Sequence, residues 1–299
     1  MSGSTQMPSV TPNALVATAV ISNGAAPTVA SMWARAAETL PLTGRLRLGR
    51  RRREQVRAIY GFARLVQNLG AEAGGDGRML LDWIDVQLSV IFAGDVPDHP
   101  LLRAFGHTIR ESRLPAEPLH RLVEVNRRHD GITRFETFGD LIDDCRRTAG
   151  PVGELVLHVF GAATPARLCR SDAIWAGLGV TERLQNVGED YARGRIYLPH
   201  EDMRLVGCRE SDLSGRSTGP ALRALLALEV ERAHALLDEG APLLNDLPVC
   251  GRLAVARCVA FGRAALDGLR RRDYDVLGQS TPTDRRAIIC ALVATLWRR

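Results

Sequence analysis

Lysine is missing altogether: all 39 basic residues of the 299-residue chain are arginine. Chemistry that starts at a lysine amine is thereby excluded, from Schiff-base formation to the phosphate-gripping lysine of a P-loop. Aromatic residues are scarce at 5% of positions, and the basic run Arg45-Leu-Arg-Leu-Gly-Arg-Arg-Arg-Arg53 contains none to stack on a base. No nucleic-acid partner is expected. The six cysteines, Cys145, Cys169, Cys208, Cys250, Cys258 and Cys290, form neither a C-x-x-C pair nor a metal-ligand spacing with histidine. They read as reduced thiols of a cytoplasmic protein. No run reaches the ~18 apolar residues of a membrane span. The mildly apolar stretch from Ala14 to Ala30 is broken by Ser22, Asn23, Gly24 and Pro27 and has no basic leader. Residues 1–24 are expected to be a disordered tail.

What is present is an ordinary globular composition, 45% hydrophobic and 24% charged, with a net charge of +5. That balance of forked guanidinium groups suits a phosphate-bearing small molecule. Past the tail, apolar residues recur at helical spacing: Val56, Ile59, Tyr60, Ala63 and Val66; Leu80, Leu81, Ile84, Leu88 and Ile91; Leu141, Cys145, Val152, Leu155 and Val159; Leu222, Leu225, Leu228, Val230 and Leu236. No long stretch alternates with period two, so the expected class is all-α. Breaks such as Gly94-Asp95-Val96-Pro97 and Gly240-Ala241-Pro242 are short. One helical domain over residues 25–299 is expected, as a monomer or homodimer.

Two helical segments carry polar residues where an apolar stripe would otherwise continue. Arg64, Gln67, Asn68 and Glu72 fall at i, i+3, i+4 and i+8, on one face. Glu182, Gln185, Asn186, Glu189 and Asp190 group in the same way on a second helix. Such stripes are commonly solvent faces; two that face each other build a polar site inside a bundle.

Tyr60-x-x-x-Arg64 with its polar cluster, Ala149-Gly150-x-Val152-Gly153 on a helix, and Gly188-Glu189-Asp190-Tyr-Ala-Arg193-Gly194-Arg195-Ile196-Tyr197-Leu198-Pro199 together resemble the squalene/phytoene synthases. The resemblance runs from about Ala25 to the C-terminus. Phe62-Ala63-Arg64, Cys145 to Gly153 and Gly194 to Asp202 are most similar to its bacterial hydroxysqualene synthase branch. It implies an isoprenoid synthase bundle around a central cavity, in which two aspartate-rich helices hold Mg²⁺ against an allylic prenyl diphosphate. Hard cations held by carboxylates neutralise the leaving diphosphate, and a dry apolar cavity protects the allylic cation.

The chain departs from that pattern at its acids. The family's Asp-Asp-x-x-Asp-Glu falls on Gln67, Asn68, Ala71 and Glu72; the first aspartate of the second motif is Asn186, and the asparagine a turn earlier is Glu182. A tyrosine common before the Glu-Thr pair is Phe135. The resemblance therefore implies Asn186, Glu189 and Asp190 as Mg²⁺ ligands, with fewer ions than a full set. Substrate contacts fall on Arg64, Gln67, Asn68, Phe135, Asn186, Arg193, Arg195 and Tyr197, and catalytic roles on Tyr60, Glu182 and Glu72, the two acids as acceptors of a displaced proton. Arginine compensates for lost metal charge, and Phe135, Phe160 and Phe62 line the cavity. The expected activity is transfer of one prenyl group to a small non-isoprenoid, aromatic acceptor. Head-to-head joining of two farnesyl diphosphates comes next, and a silent diphosphate-binding relative last.

Overall fold

A computed structural model describes residues 49–71, 75–97, 99–128, 134–278 and 290–295. The expected tail, Arg45 to Leu48, and Glu72 lie outside the described residues. The helices are α1 (Arg50–Ala71), α2 (Gly75–Ala93), α3 (Pro100–Ser112), α4 (Ala116–Arg128), α5 (Phe138–Val159), α6 (Pro165–Gln185), α7 (Val187–Ala192), α8 (His200–Val206), α9 (Pro220–Gly240) and α10 (Val249–Arg271). Among the described residues the extended structure comes to one isolated bridge, Arg134 to Ile196. The all-α expectation holds.

The apolar periodicities bury as the spacing requires. Ile59, Ala63 and Val66 of α1 and Ile84 and Leu88 of α2 are fully enclosed, whereas Leu228 of α9 is only half-buried and its neighbour Leu226 takes the core position. At roughly 1.5–3 kcal/mol for each large aliphatic side chain removed from water, these stripes hold the bundle together. Helix ends are closed locally: His99 Nδ1 accepts from Leu101 N–H at the start of α3, and Thr137 with Asp140 forms a capping box on α5.

Helix α6 is the central rod. Residues 173–181 are all buried, which is why this helix lacks a strong polar face; α9 covers one side and α5 another. Small residues make the close approach possible. A β-carbon on Gly153 of α5 would lie 2.1 Å from Trp175 Nε1 of α6, and one on Gly179 of α6 would lie 2.9 Å from Cys145 Sγ of α5. The Ala149 to Gly153 segment is thus an uninterrupted part of α5 that serves as a packing surface.

Candidate functional site at the joint between α6 and α7

The second polar stripe does not ride on one continuous helix. Helix α6 ends at Gln185, Asn186 is the joint, and α7 starts at Val187. Asn186 is buried; its N–H donates to the Glu182 and Arg183 carbonyls, and its own carbonyl accepts from Asp190 N–H at 2.8 Å. The break falls between Glu182 and Gln185 on α6 and Glu189 and Asp190 on α7.

Helix α7 closes after one and a half turns. Gly194 has φ +74, a conformation that a side chain disfavours, and there Gly194 N–H donates to Tyr191 O while Arg195 N–H donates to Asp190 O. The chain leaves this turn extended. Ile196 bridges Arg134, whose guanidinium reaches the Gly194 carbonyl at 3.0 Å and Glu210 at 3.0 and 3.2 Å. Phe135 packs its ring 5.7 Å from that of Tyr197. A loop from the far end of the chain seats on the same corner: Thr218 Oγ1 donates to Asp275 and accepts from the N–H groups of Val276 and Leu277. Leu277 comes to 3.2 Å from where a Gly188 β-carbon would stand.

Arg183, Val187, Asp190, Arg195, Ile196, Tyr197, Leu198 and Leu213 line a narrow crevice there. The structure therefore brings together Asp190, Arg195 and Tyr197 of the expected set, with Arg193 and Glu189 paired at 3.8 Å on the exposed rim. Burial pushes the Asp190 carboxyl up to about 6, against the opposing pull of Arg183, Arg193 and Arg195.

Arg183 is the residue that motif reading passed over. It pairs with buried Asp144 of α5, donates to Cys145 Sγ at 3.1 Å and to Gly179 O at 3.3 Å, and lies 5.1 Å over the Tyr197 ring. A signal existed: Arg183 stands seven residues, two helical turns, before Asp190. Its partner 39 residues upstream was invisible to local pattern.

Other expected residues sit elsewhere. Tyr60 is buried on α1 with its ring 6.2 Å from Trp175, and burial raises its hydroxyl well above the usual range. Arg64 and Gln67 are half-buried on α1; neither makes a hydrogen bond or ion pair to the α7 corner among the described residues, and Gln67 Oε1 is buried with no hydrogen-bond partner there. Asn68 is half-buried beside them, and Glu182 sits on the last turn of α6 next to Arg183. Phe62 stacks on Phe105 at 4.5 Å, and Phe160 lies under Arg52 at 5.8 Å. Both rings are buried in the core, and of the three expected phenylalanines Phe135 packs on Tyr197.

The donor set is a poor match to the expected Mg²⁺. Glu189 is exposed and paired with Arg193, Asp190 has arginine charge around it, and Asn186 offers a neutral amide oxygen in place of a carboxylate. No three His, Cys, Asp or Glu side chains converge to hold a metal among the described residues. This set does not fit a multi-ion Mg²⁺ cluster.

Known proteins resemble this chain along most of its length. The squalene/phytoene synthase family model matches residues 34–287. A phytoene synthase of Arthrospira platensis is 31% identical over 269 residues, 83% of this chain and 85% of that protein. A hydroxysqualene synthase of Rhodopseudomonas palustris is 29% identical over 198 residues, 66% of this chain and 67% of that protein. Among solved structures, squalene synthase HpnC of Alicyclobacillus acidocaldarius superposes with TM-score 0.71 at 33% identity over 88% of this chain and 94% of that one. A dehydrosqualene synthase superposes with TM-score 0.78 at 23% identity, covering 95% of each, a likeness of fold. No helix among the described residues is long and apolar enough to cross a membrane.

Proposed function

Because the chain belongs to the squalene/phytoene synthase family of prenyltransferases, we propose that it ionises an allylic prenyl diphosphate at the α6–α7 corner and grips the leaving diphosphate with guanidinium groups. The observation that carries this reading is the crevice itself, which Arg183 and Arg195 line together with Asp190 and Tyr197. Guanidinium forks make paired, charge-assisted bonds to phosphate oxygens without a metal. Family enzymes generally use a divalent metal for this ionisation; the donors at this corner do not suit a cluster, and no step is routed through one.

Arg195 and Arg193 bind the diphosphate, with Arg64 contributing from α1. Asn186, Gln67 and Asn68 serve as neutral polar contacts. Tyr197 and Phe135 form an aromatic wall whose π-faces favour the developing cation. Tyr60 lies on the apolar side between α1 and α6, where water is excluded, and Glu182 takes the proton lost from the coupled product, a role Glu72 would share.

For the acceptor, the reading is a second prenyl diphosphate joined head to head. Its support is that the similar proteins are named phytoene synthase and hydroxysqualene synthase. The order expected from the sequence is thereby reversed. A second reading, one prenyl group passed to an aromatic acceptor, draws on the thin acidic complement at Gln67, Asn68 and Asn186, which leaves less charge for holding a second metal-bound diphosphate.

Incubation with farnesyl or geranylgeranyl diphosphate alone, followed by extraction and mass spectrometry, decides between them. A head-to-head C30 or C40 product is expected. Diphosphate release only after an aromatic acceptor is added installs the second reading, and no release under any condition defeats both.

A further inference from the structure

We propose that Arg53, Arg57 and Arg64 form an anion track along one face of α1, which draws the diphosphate head of a prenyl substrate from solvent toward the diphosphate site. This rests on the proposed site, in which Arg64 takes part, and adds how the substrate reaches it.

The track begins in the basic run that leads into α1. Three of the four arginines that open the helix are engaged: Arg50 with Glu54, Arg51 with Glu111, and Arg52 over the Phe160 ring. Arg53 is left. From it Arg57, Gly61 and Arg64 follow at i+4, i+8 and i+11, the spacing that keeps residues on one side of a helix. Arg53 and Arg57 are exposed and Arg64 is half-buried, so the row passes from open water to partial enclosure over roughly 16 Å of helix. None of the three makes a hydrogen bond or ion pair among the described residues, and the acid of these turns, Glu54, closes on Arg50. Helix α4 shows the opposite arrangement: Arg121 meets Glu117 and Glu154, Arg127 meets Asp82, Asp85 and Glu124, and Arg128 meets Glu124. Arginines without a carboxylate of their own keep their field for an incoming anion.

Gly61 stands within the row. It is exposed, and a β-carbon there would meet nothing within 4 Å, so packing does not require a glycine. Glycine in a helix interior costs stability relative to alanine; here it leaves the lane between Arg57 and Arg64 free of a side chain. Exposed cations in a row raise the local concentration of an anion and its association rate, an effect that salt screens.

Gly61→Glu separates steering from folding. It sets a carboxylate four residues after Arg57 and three before Arg64, where helical neighbours pair, and it replaces a poor helix former with a better one. The variant should therefore melt higher and bind more slowly. Stopped-flow tryptophan fluorescence follows the association of farnesyl thiodiphosphate with the full chain in Mg²⁺. At low salt the association rate should be about 10-fold below that of Gly61→Gln, its uncharged match, and the gap should close at high salt. Arg53→Gln combined with Arg57→Gln should slow association in the same salt-dependent way, and it decides if Gly61→Glu does not fold. Equal rates at low salt, or a gap that persists at high salt, overturn the track and leave the diphosphate site standing. No binding by the unmodified chain defeats the site and the track with it.

Discussion

Carboxyl groups meet arginine both between α8 and α9 and at the α6–α7 corner, in different ratio. Between α8 and α9, Glu229 and Asp202 share one guanidinium: Arg232 reaches the two Asp202 oxygens at 2.6 and 3.0 Å and Glu229 at 3.2 Å, with the Phe138 ring 4.5 Å from its centre. At the α6–α7 corner Asp144 pairs with Arg183 and Glu189 with Arg193, and Asp190 lines the crevice with Arg195. An excess of acid resolves itself by taking up a proton. Burial raises Glu229 to about 8, with Arg232 opposing the rise and Asp202 adding to it. Arginine stays charged, so the pairs at the corner keep their charge where the first cluster takes up a proton.

The comparison breaks most visibly at Arg232. Arg232→Met strips the shared guanidinium from Asp202 and Glu229, and removing one partner from a buried pair typically costs ~3–5 kcal/mol. Urea unfolding at pH 7 measures it, and a loss below about 1 kcal/mol would show that water already reaches the pair.

Glu229→Gln sharpens the same side. The folded carboxyl titrates near 8 and the unfolded one near 4.5. Between those values the folded state holds more protons, so the unmodified chain loses stability as pH climbs from 5 to 9. The Gln variant lacks that slope. Relative to the unmodified chain it should gain about 3 kcal/mol between pH 5 and pH 9, since a tenfold difference in proton affinity is worth ~1.4 kcal/mol and neighbouring Asp202 takes part of the effect. Parallel denaturation curves at the two pH values would show that Glu229 titrates as an ordinary carboxyl.

At the corner, Arg195→Lys keeps the charge and loses the fork. The dissociation constant of a prenyl thiodiphosphate should rise ~10-fold, about 1.4 kcal/mol. Arg64→Lys asks the same of α1, and unchanged binding by both variants takes the two arginines out of the site. The smallest effect belongs to an exposed pair: Arg50→Ala, opposite exposed Glu54 on the same helix, should leave stability unchanged. Thermal melts at low and high salt provide that baseline.

The fold was legible because its stripes are local: Ile84, Leu88 and Ile91 on α2 state their face within two helical turns. The corner was legible as text, through Gly188 to Pro199, and Gly194 marks a turn by its own backbone freedom. What the sequence could not disclose is what meets across helices. Asp144 and Arg183 pair because Gly179 lets α5 and α6 approach, and no local spacing encodes that approach. The break at Asn186 was missed because the polar spacing from Glu182 to Asp190 runs across it unchanged. The ring partners of Phe62 and Phe160 were not legible either, because composition says a ring is buried and not against what.

The Thr218–Asp275 clip sets an order in time. A chain emerges from the ribosome from its N-terminus, and segments fold as they become available. Helices α6 and α7 are out long before residues 275–277, which close back over a span of 57 residues to Thr218 and place Leu277 on Gly188. The arginine corner thus receives Leu277 only well after α6 and α7 have been made. A nascent or C-terminally shortened chain carries the whole motif in its sequence and still lacks the piece that seats it.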